Sequence, residues 1–217
     1  MRRTLLCTAT VLLAAYAAIG DGKSATEMAT VCQGFSNQDA PKSLSTPALD
    51  NLKIEKQGEK VLVYAQSEVD ADRATIWSTL SDYDHLAGFI PDMLLSHVVS
   101  RTGDKLVVEQ QGSAGLGPFR QKFTVLLAVR EMPDHSISAS GIGGDFSCFE
   151  SRYEILPLEP HRVRIVYQAA FVPTISLPPV LGLFAMRSSI GSQFDALVEE
   201  IRRREGAARV GGSGHAL

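Results

Sequence analysis

The chain has 217 residues, 45% of them hydrophobic and 21% charged, with a formal net charge of −3. That balance argues against global disorder and suits one folded domain with additional terminal segments. No basic excess points to nucleic acid, and no acidic block points to a solvating tail.

Arg2 and Arg3 precede an almost unbroken apolar run from Leu5 to Ile19, and the first acid is Asp21. This pattern predicts a secretory signal peptide over residues 1–25, cut after Ala17 or Ala18 or near Ala25. The run falls short of the roughly 20 apolar residues of a spanning helix, so an uncleaved anchor is the alternative. The protein is therefore expected to be exported, to the periplasm or outside the cell. Residues 26–51 are polar and lack a period, as in a linker. Cys7 falls in the leader. Cys32 and Cys148 are expected to stay unpaired, with Cys148 a core strand thiol; pairing in an oxidising compartment is the other reading.

Residues 52–204 carry the folded unit. Leu52 and Ile54 alternate with polar residues before a QGE turn, and Val61, Val63, Ala65, Ser67 and Val69 continue a period of two, predicting a hairpin. Asp70 or Asp72 can cap a helix carrying Ala74, Ile76, Trp77 and Leu80. A second short helix restarts at Asp84, and Pro91 ends it. Strands and turns then alternate: a hairpin around Thr102-Gly103-Asp104, a long strand through Phe119–Met132, another at His135–Ile142 closed by a GGD turn, and a hairpin around Leu158–His161. Glycines 112, 115, 117, 141, 143 and 144 are placed to bend or bulge these strands.

Pro178 and Pro179 start the last helix. Leu183, Met186, Ile190, Phe194, Leu197 and Ile201 form one apolar stripe over about 25 residues. Arg202 to Arg204 read as a solvated helix end, and residues 205–217 as a flexible tail. A single long helix must bury its stripe on a sheet, and the sheet must curve to receive it. The expected class is α+β: a curved antiparallel sheet of about six to seven strands, two short helices after the first main strand, and a long C-terminal helix packed on the sheet.

The segment from Val69 through WSTLSDYDHLAGFIPDM, with its Trp77–Asp82–Tyr83 spacing and its Leu86, Phe89, Ile90 and Pro91 cluster, resembles the opening of the START-like (SRPBCC) superfamily. Within it the chain looks closest to the coenzyme Q-binding, polyketide cyclase/dehydrase-related group. The resemblance covers about Val61 to Arg204. It implies a helix-grip fold with a cavity between the sheet and the C-terminal helix.

Strand parity proposes the walls of such a cavity. Phe119, Gln121, Phe123 and Val125 share one face of the long strand; Phe149, Ser151 and Tyr153 share a face of a later strand, and Tyr167 and Phe171 one of the last. Trp77 and Phe89 from the short helices, and Phe184, Met186 and Ile190 near the start of the long helix, complete the candidate set. The polar groups Gln121, Ser151, Tyr153 and Tyr167 on apolar walls suit a small apolar ligand with a carbonyl or hydroxyl head. The alternative is a filled core whose hydroxyls find backbone partners. LPPVLGLFAMR reads either as a gate that touches a membrane or as a rigid helix start.

Neither GxSxG, HExxH nor a phosphate loop is present, and no histidine is tied by spacing to a nucleophile. Asp82, Asp84, His85 and Asp92 read as caps and turns in preference to a metal site. The expectation is a non-enzymatic binder, with no cofactor and no metal, that acts as a monomer on an apolar ligand with transient membrane contact. A polyketide cyclase-like enzyme using Tyr153, Tyr167, Arg152 or Arg164 is the runner-up, although parity puts the arginines outside. A pure interaction domain is the third class.

Overall fold

The computed structural model describes residues 51–114, 120–174 and 179–212. A hairpin of β1 (Leu52–Gln57) and β2 (Lys60–Val69) leads into α1 (Arg73–Leu80) and a 3-10 helix (Tyr83–Gly88). Six strands follow: β3 (Met93–Thr102), β4 (Lys105–Ala114), β5 (Gln121–Met132), β6 (Ser136–Gly144), β7 (Phe146–Glu159) and β8 (Arg162–Pro173). The long helix α2 (Pro179–Gly212) closes the chain. The strands form one antiparallel sheet of order β1-β2-β8-β7-β6-β5-β4-β3, so β8 returns to pair with β2. This is the expected helix-grip architecture, with eight strands instead of six or seven, because the β1–β2 hairpin joins the sheet in full.

Period-two alternation decides the core face. Val125, Leu127 and Val129 of β5, Ile155 of β7 and Val163 and Ile165 of β8 are buried toward α2. From the helix, Phe194, Leu197, Val198 and Ile201 meet them. The four helix side chains, buried against six from the sheet, contribute on the order of 1.5–3 kcal/mol each, which is what holds a lone helix on a sheet.

The expected GGD turn is different in detail. Gly143 and Gly144 belong to β6, and the reversal narrows to Asp145. Thr124 N donates to Asp145 Oδ2 at 2.7 Å, and Asp145 N donates to the Thr124 carbonyl at 2.8 Å. Gly144 has φ 104°, and a Cβ there would strike that same carbonyl, so only glycine fits. The neighbouring register shift opposes Leu126 to Gly143 and Leu127 to Gly141, leaving Ile142 as the extra residue of a bulge. Gly115 and Gly117 lie outside the described residues.

Three further expectations are corrected. The helix does not end at Arg204 but continues to Gly212. Glu205 explains this: it is 5% exposed, and its Oε2 accepts the Asp72 backbone N–H at 3.2 Å while Oε1 accepts Arg209 Nε at 3.0 Å. Asp72 occupies the N-cap position of α1 without a side-chain cap bond. Its carboxylate instead pairs with His161 Nδ1 at 2.7 Å, and Glu205 supplies the negative charge at the α1 N-terminus. Cys148, finally, is disulfide-bonded, not unpaired. Alternation turns it to the sheet face opposite Phe149, away from the α2 core, where a thiol can be reached by chain outside the sheet. Cys7 and Cys32, the other two cysteines of the chain, lie outside the described residues. So do residues 1–25 and nearly all of 26–51, on which the leader and linker expectations fall.

Candidate functional site

Between the concave sheet face, the 3-10 helix and the middle of α2 lies a cavity of about 160 Å³. Its floor is Val108, Leu127, Val129, Ile137 and Ala139; Leu86 and Ile90 close it from the short helix, and Ile190, Phe194 and Leu197 from α2. The polar groups on it are Tyr83, Gln110, Ser151, Tyr153, Tyr167 and Gln193.

Pairing geometry brings the hydroxyls together. Tyr153 opposes Tyr167 directly across β7 and β8, and their ring centroids stand 4.5 Å apart at 32°. Ser151, two residues along the same face, lies beside the Tyr167 phenol. Desolvation pushes the Tyr167 phenol up to about 12, with Ser151 pulling the other way. Desolvation, then the neighbouring Tyr167, raises Tyr153 well above the usual phenol range. Both rings keep intermediate exposure although they sit below the surface, because the cavity itself offers accessible area. Burial, then the charge of Glu131, also raises Tyr83. Tyr83 Oη and Glu131 Oε1 are both buried, and neither closes a hydrogen bond of good geometry. All three phenols therefore stay protonated at neutral pH and can donate to an acceptor in the cavity.

Of the residues proposed from sequence, Ser151, Tyr153, Tyr167 and Ile190 line the cavity. Val125 is 3% exposed in the core beside it. Phe123, Phe149 and Phe171 do not line it. With Phe146 they form an aromatic cluster, with Phe123–Phe146 and Phe146–Phe149 centroids both 5.5 Å apart, and the rings fill one another's space. Gly112 makes room for the Phe123 ring. Gln121 is exposed at the start of β5, where it pairs with the last residue of β4. Trp77 packs on the outside of the core from α1 and does not reach the cavity. Phe89 lies under the Arg204 guanidinium, 5.4 Å from its ring centroid. Met186 packs on Val61, Val63 and Ala169 at the β1–β2 side. Phe184 is 64% exposed and faces outward beside Leu52 and Arg187. Phe119 and Pro178 lie outside the described residues.

Sequence reading missed Gln110, Gln193 and Tyr83 as cavity groups. Parity with Leu106 and Val108 marks Gln110, and a three-residue step from Ile190 marks Gln193; both signals were available. Arg152 and Arg164 stand on the outer face as parity requires, bound to Glu154 at 2.8 Å and Glu68 at 2.7 Å. The acid cluster is spent on structure: Asp82 binds His85 and Arg204, Asp84 Oδ1 accepts the Val98 N–H, and Asp92 pairs with Arg120.

The fold recurs in solved structures at low identity. The Zhui aromatase/cyclase from Streptomyces sp. R1128 is 15% identical, with a TM-score of 0.58 over 67% of this chain and 95% of that one. A STAR-related lipid transfer protein from Xanthomonas axonopodis is 13% identical, with a TM-score of 0.52 over 70% and 99%. Human StAR-related lipid transfer protein 5 is 14% identical, with a TM-score of 0.52 over 72% and 89%. No curated protein matches the chain. The family model described as polyketide cyclase / dehydrase and lipid transport matches residues 69–198, well over half of the sequence. The chain belongs to that family, on a START-like fold.

Proposed function

We propose that this protein binds a hydrophobic small molecule, a lipid or an isoprenoid-quinone-like compound, in the cavity under α2 and carries it as an exported protein. The observation that carries this reading is an apolar cavity with a few convergent, uncharged polar groups, in a family described by cyclisation and lipid transport. Export is supported by the Arg2-Arg3 and Leu5–Ile19 pattern and by the disulfide at Cys148, a bond that persists in oxidising compartments. The exposed Phe184 at the start of α2 supports transient contact with a membrane during transfer. A monomer is supported by the sheet edges: β1 is six residues with Lys53, Glu55 and Lys56, and β3 carries two register shifts, both of which discourage edge pairing.

The test is mass spectrometry of an organic extract of the mature protein purified from its native envelope. A bound apolar compound is expected; empty extracts from several hosts would sink the carrier reading. The second reading is a polyketide cyclase-like enzyme, favoured by the buried Tyr153–Tyr167 pair. Under the carrier reading Tyr153→Phe leaves ligand uptake largely intact. A cyclase would turn over a poly-β-keto chain, and the same change would lower turnover while binding survives.

A further inference from the structure

We propose that the cavity selects an uncharged, planar single-ring head group bearing a hydrogen-bond acceptor, and rejects carboxylate-headed lipids such as fatty acids. The inference rests on the carrier reading and narrows its ligand class.

Three observations carry it. The first is charge. Among the described residues that line the cavity there is no Lys, Arg, His, Asp or Glu. The arginines nearest in sequence to its polar groups, Arg152 and Arg164, are held on the outer face by Glu154 and Glu68. A carboxylate placed here would lose its hydration with no cation to replace it, whereas a ketone or ester would lose little. The second is size. A volume of about 160 Å³ is close to the roughly 150 Å³ of an apolar cavity that binds benzene. It is well below the range of sites that enclose a whole drug-sized ligand, so an acyl chain does not fit inside in this form. The third is shape and donor placement. Tyr153 and Tyr167 stand with ring centroids 4.5 Å apart and planes tilted by 32°, an aromatic wall on which another ring can pack face-on or edge-on. The phenols and the Ser151 hydroxyl stay neutral and can donate to one acceptor on the ring.

The experiment uses the disulfide-intact mature chain and three probes that share one ring: methyl benzoate, benzoate and ethylbenzene. Binding is measured by calorimetry or probe fluorescence at pH 7.5. The ester is expected to bind, and the carboxylate to bind at least about a hundredfold more weakly. The hydrocarbon, lacking the acceptor, should bind roughly fivefold more weakly than the ester. Tyr167→Phe should shrink the gap between ester and hydrocarbon while leaving the hydrocarbon unchanged. A carboxylate within tenfold of the ester overturns the selectivity, and the carrier reading survives. If none of the probes binds but the native extract yields a long-chain compound, the ring assignment falls and the carrier reading stands. No probe binding together with an empty extract brings down both.

Discussion

Arg204 Nη2 donates to Asp82 Oδ2 at 2.8 Å, joining residues 122 positions apart. The same guanidinium lies over Phe89 and donates through Nε to Glu200 at 2.7 Å. One side chain of α2 thus ties the junction between α1 and the 3-10 helix, and so fixes Leu86 and Ile90 over the cavity. Arg204→Leu should destabilise the protein by about 1–3 kcal/mol, since hydrogen bonds between charged, part-buried groups are lost. Urea unfolding of Arg204→Leu, Asp82→Asn and the double variant checks this: a coupling energy below about 0.5 kcal/mol would mean that the pair is not connected.

Stability should fall at both ends of the pH scale. Hydrogen bonding to Arg203, then to Arg204, holds Glu200 at about 2 against a burial effect that opposes it. Its carboxyl is depressed in the folded state, so this contribution is full above the unfolded value of 4.5 and is lost as pH drops toward 2. Tyr167 is the mirror case. Its phenol is raised to about 12, so its contribution is full below 10.0 and is lost as pH rises from there to 12. Glu200→Gln should flatten the acid limb of a pH series of unfolding midpoints, and Tyr167→Phe the alkaline limb. Ultraviolet titration of the folded protein at pH 10.5 should find Tyr153 and Tyr167 un-ionised.

Gly144→Ala is expected to cost about 2–4 kcal/mol, because the positive φ and the Thr124 carbonyl both exclude a side chain. Gly58→Ala, with positive φ but open space around it, should cost less. Equal losses in thermal unfolding would refute the steric account of the β6–β7 reversal.

Ala139 offers a way to fill the cavity without touching its polar groups. It is 8% exposed and lines the floor opposite Ser151. Ala139→Leu should abolish ligand binding while changing stability by no more than about 1 kcal/mol in either direction, since the added carbons enter empty space. Ligand retention by this variant, measured on organic extracts, would move the binding site elsewhere.

Cys148 should resist alkylation in the unreduced protein and become labelled after reduction and unfolding, as read by intact-mass spectrometry. Reduction should also lower the unfolding free energy by about 2–4 kcal/mol, the usual effect of releasing a chain crosslink, read as a lower midpoint in denaturant.

The order of elements was legible in the sequence because each signal is local. Alternation along Val61–Val69 and Val163–Phe171, the Leu197–Ile201 stripe and Pro91 each report the backbone state of their own few residues. Ser151, Tyr153 and Tyr167 were legible for the same reason: parity gives a face. What parity cannot give is depth along the strand. Phe123, Phe149 and Phe171 share the face of Tyr153 and yet fill a solid cluster, because Phe146 arrives among them past a register shift that no period announces. Cys148 went to the outer face and into a disulfide for a related reason, since apolar neighbours in sequence do not state which side of a sheet they cover. Glu205 looked like the start of a tail until the N-terminus of α1, 133 positions away, supplied its partner. Sequence alone therefore determined the elements, their faces and the family resemblance; the tertiary structure alone decided where along the sheet the core stays open, because that depends on which side chains from distant strands meet at one level.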